Sequence, residues 1–160
     1  MMTKMHGRVG IARQRASTLI LLSSVLAVCQ VFGSGCSKEV SDRDIKTIAL
    51  ADAARLHARS QSDPLEALFI DPRSKAMYDA AHIAGARHLQ LTADDTDRGT
   101  DPAINRYGTL IVYGNDPGSA IARAMAKRMM AIGYSKKKVK LLADGLVAWD
   151  RAGLPVERAP

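Results

Sequence analysis

A short glycine-containing loop is the segment of this sequence whose residue types point most directly to chemistry. It follows the apolar run Leu110–Tyr113 and consists of Gly114, Asn115, Asp116, Pro117, Gly118 and Ser119. A tight loop between a buried strand and a helix aims backbone N–H groups inward, and the start of the helix adds partial positive charge. The loop is therefore a candidate cradle for a small anion, with Ser119 as a candidate ligand contact.

The loop departs from the common phosphate-binding signatures. No Lys-Ser or Lys-Thr follows its glycines, as in nucleotide-binding P-loops, and the glycine spacing of the dinucleotide fingerprint is absent. The cysteine and the arginine of a cysteine-phosphatase loop are also missing. Asp116 opposes a bound anion unless its carboxylate points away. A plain strand-to-helix connection stays open as the alternative.

Histidines and an aspartate provide the other candidate ligands. A metal site would have to use His57, His82, His88 and Asp71, and their spacings match no helical or turn-based set of ligands. The sequence therefore predicts no metal and no cofactor.

Two further catalytic arrangements, a serine nucleophile and a pair of acids, are not favoured by the sequence. Ser119 lacks the G-x-S-x-G context of a serine nucleophile and has no evident histidine partner. Asp144 and Asp150 lie beside turns, where aspartate commonly bonds the local backbone rather than acting as one of a pair of acids.

Short apolar runs alternate with helical patterns along the second half of the chain. Uninterrupted apolar runs predict strands at Ala67–Ile70 and Leu110–Tyr113, and Val139–Leu142, which contains Lys140, is predicted to be a third strand. Helical spacing and caps predict helices over Ala49–Ala58, Ser74–Ala81 with Ser74 as the N-cap, Ser119–Ile132 and Leu146–Arg151. The buried stripe of the third helix is predicted to be Ile121, Met125, Met129 and Ile132, with the methionines as core residues.

This order of elements predicts an α/β fold with a parallel sheet flanked by helices on both faces. Ligands in such folds lie beyond the carboxyl ends of the strands. Asp71, the loop 114–119 and Asp144 all fall at that edge. The functional site is therefore expected there.

Composition and charge fit one exported globular domain. The 160 residues are 47% apolar and 24% charged, and aromatic residues make up only 4%, which argues against a base-stacking nucleic-acid surface. The net charge is +7, but residues 36–160 retain 19 basic and 16 acidic residues, a net of +3. The run Lys136–Lys138 with Lys140 is interpreted as a solvated loop, because no aromatic residues interleave it.

The N-terminal segment has the pattern of a secretory signal. A basic stretch ending at Arg15 precedes the uncharged segment Ala16–Ser37, whose first part is apolar. Small residues before Cys36 resemble the lipobox of bacterial lipoproteins, although Gly33 stands where that family usually has a branched apolar residue. The sequence thus predicts a signal peptide over 1–35, a lipid on Cys36, a polar tether over 36–46 and a folded domain over 47–160.

Three readings of this segment stay open. Besides a lipoprotein signal, with Cys29 as a weaker acylation site, it fits an uncleaved membrane helix or a plain signal peptide. Twenty-two uncharged residues in a helix span about 33 Å, enough to cross a bilayer. All three export the domain to the cell envelope or periplasm.

Four pieces of sequence, in order, resemble the rhodanese-like domain family. They are Ile70–Arg73 with Tyr78, then His82–Ala86, then Leu110–Tyr113, and finally Asp144–Trp149 with Gly153–Val156. The resemblance covers roughly residues 47–160 and implies a small parallel sheet flanked by helices. It also implies structural roles. Asp71 and Arg73 would organise the loops and are candidate ligand contacts, His82 would satisfy backbone groups, and Trp149 would pack the last helix on the sheet.

The resemblance also implies a chemistry that this sequence lacks the residues to perform. In the family, a thiolate at the first loop position takes a sulfane sulfur from a donor such as thiosulfate and passes it to cyanide or another thiol. Here that position, directly after Tyr113, is Gly114, and Ser119 stands where an arginine is often found. The two cysteines of the chain are Cys29 and Cys36, both in the N-terminal segment.

Three hypotheses follow for the function. The leading one is an exported, lipid-anchored, catalytically inactive rhodanese-like domain that binds an envelope protein or a small anion at the loop 114–119. The alternative is a sulfurtransferase that uses a thiol supplied by a partner protein. The third is a structural spacer in the cell envelope. None of them involves nucleic acid.

Overall fold

The elements of the fold alternate strands and helices, as the sequence predicted. In the computed structural model, which describes residues 40–91 and 99–159, the strands are β1 (Lys46–Ile48), β2 (Ala67–Asp71), β3 (His82–Ile83), β4 (Arg87–His88), β5 (Thr109–Val112), β6 (Val139–Leu142) and β7 (Val156–Glu157). The helices are α1 (Leu50–Ser60), α2 (Lys75–Ala80), α3 (Pro102–Asn105), α4 (Ala120–Ala131) and α5 (Gly145–Arg151). The described residues belong to one compact unit, residues 35–160.

Five of the strands form one parallel sheet in the order β1-β6-β5-β2-β4. The central strands β2 and β5 are buried along nearly their whole length, as expected of a sheet that is covered on both faces. A second, antiparallel sheet pairs β3 with β7, so that His82 faces Glu157 and Ile83 faces Val156. The prediction of an α/β fold with a parallel sheet flanked by helices is confirmed.

The core divides into two clusters, one on each face of the sheet. On one face, α4 packs Met125, Ala126 and Met129 against Leu110 and Val112. On the other face, α1 and α5 pack against strand residues that include Phe69, Ile111 and Leu142. Trp149 is fully buried in this second cluster, and its Nε1–H donates to the Pro155 carbonyl oxygen at 2.9 Å. Trp149 therefore packs the last helix on the sheet, as its position in the resemblance implied.

The buried stripe of α4 differs from the prediction at one end. Met125, Met129 and Ile132 are buried, but Ile121 is 46% exposed. In the first turn of α4, Ala122 is the residue that packs into the core cluster, whereas its neighbour Ile121 faces the solvent.

The predicted polar tether is folded over its second half. Residues Asp42–Asp44 form a short 3₁₀ helix with a capping box between Ser41 and Asp44, and Lys46–Ile48 form β1, which pairs with β6. Val40 and Ile45 pack against the core on the α4 face. The domain therefore starts before residue 47. The sequence pattern missed β1 because it is a short edge strand with only Ile48 buried.

The N-terminal predictions concern residues that precede the described part of the chain. The signal peptide over 1–35, Cys29 and Cys36 lie outside the described residues. Among the described residues, none of the helices has the length and apolar character needed to cross a bilayer.

The N-cap of α2 provides a local test of the fold. Ser74 caps this helix as predicted, and its hydroxyl accepts a hydrogen bond from the Met77 N–H at 3.3 Å. We expect Ser74→Ala to lower the free energy of unfolding by about 1 kcal/mol, because an N–H of the first turn loses its partner. Urea denaturation measures this change. Ser62→Ala, at an exposed serine in the turn after α1, is the matched control and should have almost no effect. Equal losses in the two variants would contradict the capping role.

Candidate functional site

The candidate site lies at the carboxyl edge of the parallel sheet, where the sequence placed it. Asp71 is the last residue of β2, and the loop 114–119 follows β5. Tyr113 continues the pairing of β5 with β2 through its N–H, which donates to the Ile70 carbonyl oxygen at 3.1 Å. Asp144 follows β6, the neighbour of β5 on the other side. The sheet order thus brings these residues to one edge.

The outer half of the loop is a tight turn. The Ser119 N–H donates to the Asp116 carbonyl oxygen at 3.3 Å, and Gly118 has a φ of 71°. Proline at the second position and a left-handed glycine at the third is the pattern of a type II turn. The Arg123 guanidinium also donates to the Gly118 carbonyl oxygen. The turn exposes Asp116, Pro117 and Gly118 to solvent.

The inner half of the loop is filled by a serine side chain. A β-carbon added to Gly114 would overlap Cβ and Oγ of Ser119 and would lie 3.4 Å from Cβ of Ala122. Ser119 is the N-cap residue of α4 by position, but its side chain makes no capping hydrogen bond. The Ser119 side chain therefore occupies the space that a side chain at position 114 would need.

The loop is held from below by the start of α5. The N–H groups of Leu146 and Val147 donate to the carbonyl oxygens of Gly114 and Asn115, at 2.9 and 3.0 Å. Gly145 has a φ of 72°, and a β-carbon there would lie 2.7 Å from the Asn115 carbonyl oxygen. Only glycine fits this close approach of two backbones. The first-turn N–H groups of α5 thus bind the loop itself.

A buried ion pair connects the loop to the neighbouring strand. Asp71 and Arg73 are 0% and 3% exposed, and Nη2 of Arg73 lies 2.6 Å from Oδ2 of Asp71. The same Nη2 donates to the Ala81 carbonyl oxygen at 2.6 Å, and Nη1 donates to Oδ1 of Asn115 at 3.4 Å. The contacts that Asp71 and Arg73 make hold three segments of chain together. Their role as ligand contacts stays a prediction.

The hydroxyl of Tyr113 completes this buried network. It accepts a hydrogen bond from the Ile83 N–H at 3.1 Å, and the Arg73 guanidinium lies 5.9 Å from the centre of the tyrosine ring. Burial, with the nearby negative charge of Asp71, raises the pKa of the Tyr113 phenol far above its usual value. Burial also lowers the pKa of Arg73, but hydrogen bonding and the charge of Asp71 outweigh this, and the pKa of Arg73 is raised. The sequence analysis did not predict that the Tyr113 hydroxyl is a buried hydrogen-bond acceptor. The available clue was that Tyr113 is a polar aromatic residue at the end of an otherwise aliphatic run.

The shifted phenol of Tyr113 predicts a pH dependence of stability. An unfolded tyrosine ionises near pH 10, whereas folded Tyr113 keeps its proton there, so the unfolded state holds fewer protons. The free energy of unfolding therefore falls as the pH rises above about 10. We expect Tyr113→Phe, measured by urea denaturation at several alkaline pH values, to lose less stability with rising pH than the parent does. An unchanged alkaline slope in Tyr113→Phe would contradict this assignment.

The three histidines considered for a metal each bond to a different backbone carbonyl oxygen. The His57 ring bonds to the Ala84 carbonyl oxygen at 2.9 Å, and the His88 ring bonds to the Arg73 carbonyl oxygen at 2.7 Å. His82 contacts the Tyr78 carbonyl oxygen at 2.8 Å and Glu157 at 3.0 Å. It satisfies a backbone group, as the resemblance implied, but that group belongs to α2 and not to the turn into Ile83. Within residues 40–91 and 99–159, no three His, Cys, Asp or Glu side chains are grouped to hold a metal ion.

A groove lies between α4 and the segment that follows β4. Its volume is about 500 Å³, and the exposed Ile121 is part of its wall. The other lining residues are Pro72, Gln90, Leu91, Ala124, Met125 and Arg128. Pro72 follows β2 directly, so the groove opens at the same edge of the sheet as the loop 114–119.

A sequence model of the rhodanese-like domain family matches residues 52–152 of the chain. The protein belongs to the rhodanese-like domain family. Solved structures that are similar include a rhodanese-like domain from Anabaena, at 21% identity and a TM-score of 0.54, with 70% of this chain and 78% of that chain covered. No curated protein matches at a significant level.

Two further similar structures belong to proteins named for different activities. A thiosulfate sulfurtransferase from Pseudomonas aeruginosa has 24% identity and a TM-score of 0.55, with 72% of this chain and 20% of that chain covered. An As-Sb reductase from Leishmania major has 15% identity and a TM-score of 0.54, with 68% of this chain and 79% of that chain covered. At these identities the likeness shows the fold. The activity has to be argued from the residues of the site.

Proposed function

We propose that this protein is an exported, lipid-anchored rhodanese-like domain without sulfurtransferase activity, which binds another envelope protein through the loop 114–119. The observation on which this rests is the packing at Gly114. The residue that follows β5 and Tyr113 has no side chain, and the space beside it is filled by Ser119. A persulfide needs a thiol in that space.

The serine cannot replace the missing thiol. A hydroxyl is a weak nucleophile without an adjacent base, and it does not form a persulfide. The nearest charged groups of the network, Asp71 and Arg73, are buried and bonded to each other. Cys29 and Cys36 precede the folded elements and belong to the segment with the signal pattern. These features together support a rhodanese-like domain that does not catalyse sulfur transfer.

The surface of the loop favours a protein partner over a small anion. The interior of the loop, where an anion would be cradled, holds the Ser119 side chain. Asp116 is exposed, and both of its carboxylate oxygens accept from Nδ2 of Asn115 at 3.1 Å, which keeps a negative charge at the mouth of the loop. The exposed turn and the neighbouring groove with Ile121 instead offer a surface of the kind that proteins bind.

The activity part of the proposal is tested on residues 37–160, which contain both core clusters. We expect no thiosulfate:cyanide sulfurtransferase activity above the uncatalysed rate. Isothermal titration with thiosulfate, sulfite, sulfate and phosphate should give no heat. Activity in the absence of any added thiol protein would overturn the proposal. Activity that appears only with a thiol-bearing partner, and that is abolished when that thiol is blocked, would establish the alternative of a sulfurtransferase with a borrowed thiol.

The anchor has its own test. The intact mass of the membrane-extracted protein should correspond to a chain that begins at Cys36 and carries a lipid. The variant Cys36→Ser should lose the lipid, whereas Cys29→Ser should keep it. A mass that includes residues 1–35 would instead indicate an uncleaved helix, and an unmodified chain lacking them would indicate a plain signal peptide.

A further inference from the structure

The cations of the domain are concentrated on one side. Between Asp116 and Asp144 the sequence has seven Lys or Arg residues and no Asp or Glu. This stretch forms α4, the turn that follows it, and β6. We call residues 42–48 and 120–143 together the basic flank. It holds nine basic and two acidic residues, whereas the rest of residues 36–160 holds ten basic and fourteen acidic ones.

The two parts of the basic flank are neighbours in the structure. β1 pairs with β6 at the edge of the sheet, so that Lys46 faces Lys140. The acids of the entering segment lie on the same side: Asp42 contacts Lys127 at 2.7 Å, and Asp44 contacts Lys136 at 2.9 Å. Lys46 and Lys137 are exposed, and neither takes part in an ion pair among the described residues. A net positive charge therefore remains on this side.

The chain enters the domain at this same flank. Val40 packs against the cluster on the α4 face, and the next residues run along α4 into β1. Val40 lies four positions after Cys36, and a fully extended chain spans at most about 14 Å over four positions. An attachment at Cys36, or an apolar helix ending beside it, would hold the basic flank close to the membrane surface. At that range an anionic surface still attracts cations, because the Debye length is about 8 Å at physiological ionic strength.

We propose that the basic flank rests on anionic phospholipid headgroups of the membrane to which the protein is attached. This inference rests on the proposed membrane attachment, and it specifies which side of the domain faces the membrane. The loop 114–119 precedes α4, whose twelve residues span about 18 Å, and the lysine-rich turn follows its other end. Contact with lipid through Lys46 and the lysine-rich turn, which lie at the end of the flank away from the loop, would leave the loop 114–119 accessible to a partner.

The test uses residues 37–160 and lipid vesicles in co-sedimentation assays. The domain should bind vesicles that contain phosphatidylglycerol at low ionic strength, should bind weakly to pure phosphatidylcholine, and should be released by high salt. Each lysine near an anionic surface contributes about fivefold in affinity, so Lys46→Gln/Lys137→Gln should weaken binding by about 25-fold. The matched control Lys75→Gln/Arg158→Gln makes the same change in net charge outside the flank and should bind almost as the parent does. Circular dichroism checks that both variants are folded.

Three results would overturn the inference. One is equal binding to the two kinds of vesicle, or no binding to either. Another is equal weakening in the two double variants, since attraction would then depend on total charge and not on the flank. The third is displacement by inorganic phosphate at constant ionic strength, which would indicate a phosphate pocket. The mass of the extracted protein reports on the anchor separately, so failure of the anchor and failure of this inference can be told apart.

Discussion

Gly114→Cys, which places a thiol at the first position of the loop, is expected to remain inactive as a thiosulfate:cyanide sulfurtransferase and to be less stable than the parent. The backbone at Gly114 is not left-handed, so a cysteine is not excluded by its φ. The new β-carbon would instead overlap the side chain of Ser119. Overpacking of this kind costs about 1–3 kcal/mol, and the loop must shift to admit the thiol.

The double variant Gly114→Cys/Ser119→Gly removes this overlap. Its stability should return towards that of Ser119→Gly alone, and that single variant should itself be almost as stable as the parent, because the Ser119 side chain makes no capping bond and glycine is a tolerated N-cap. The thiol would then lie near the start of α4, where the helix N-terminus favours the thiolate. We expect measurable sulfur transfer in the double variant only. Full stability and activity in Gly114→Cys by itself would show that Ser119 does not block the site.

Removal of one partner of the buried ion pair should have the largest effect on stability. We expect Arg73→Met to lower the free energy of unfolding by about 3–5 kcal/mol, because it leaves the Asp71 carboxylate buried without its counter-charge. The same change also removes the bonds to the Ala81 carbonyl oxygen and to Asn115. Urea denaturation measures the loss. Near-ultraviolet circular dichroism reports on the packing of Tyr113, whose ring lies 5.9 Å below the Arg73 guanidinium.

Two controls separate burial from charge in this experiment. Lys75→Met breaks the exposed pair between Lys75 and Asp79 and should cost no more than about 1 kcal/mol. Asp71→Leu/Arg73→Met removes both charges and should be less destabilising than Arg73→Met, because no buried charge is left unpaired. An Arg73→Met variant as stable as Lys75→Met would contradict the role assigned to the buried pair.

Features set by neighbouring residues could be predicted from the sequence. The strands β2, β5 and β6 were predicted from short, mainly apolar segments, and the start of α2 follows from one serine, Ser74. Elements that depend on distant partners were missed. β1 is defined by its pairing with β6, and β3 by its pairing with β7, some seventy residues further along the chain. A two- or three-residue strand has no periodicity of its own to detect.

The candidate site shows the same division. The sequence by itself determined that the loop follows a buried strand at the carboxyl edge of the sheet, that its first residue is glycine, and that no cysteine follows Cys36. Only the tertiary structure decided that Ser119 fills the space beside Gly114. It also decided that the ion pair of Asp71 and Arg73 is buried, with Arg73 against Asn115 and Tyr113. The exposure of Ile121 in a groove is likewise a property of the tertiary structure. The physical reason is that residue type and order fix local conformation and available chemistry. Side-chain direction, burial and charge pairing depend on contacts between segments, such as that between residues 73 and 115, which are 42 positions apart.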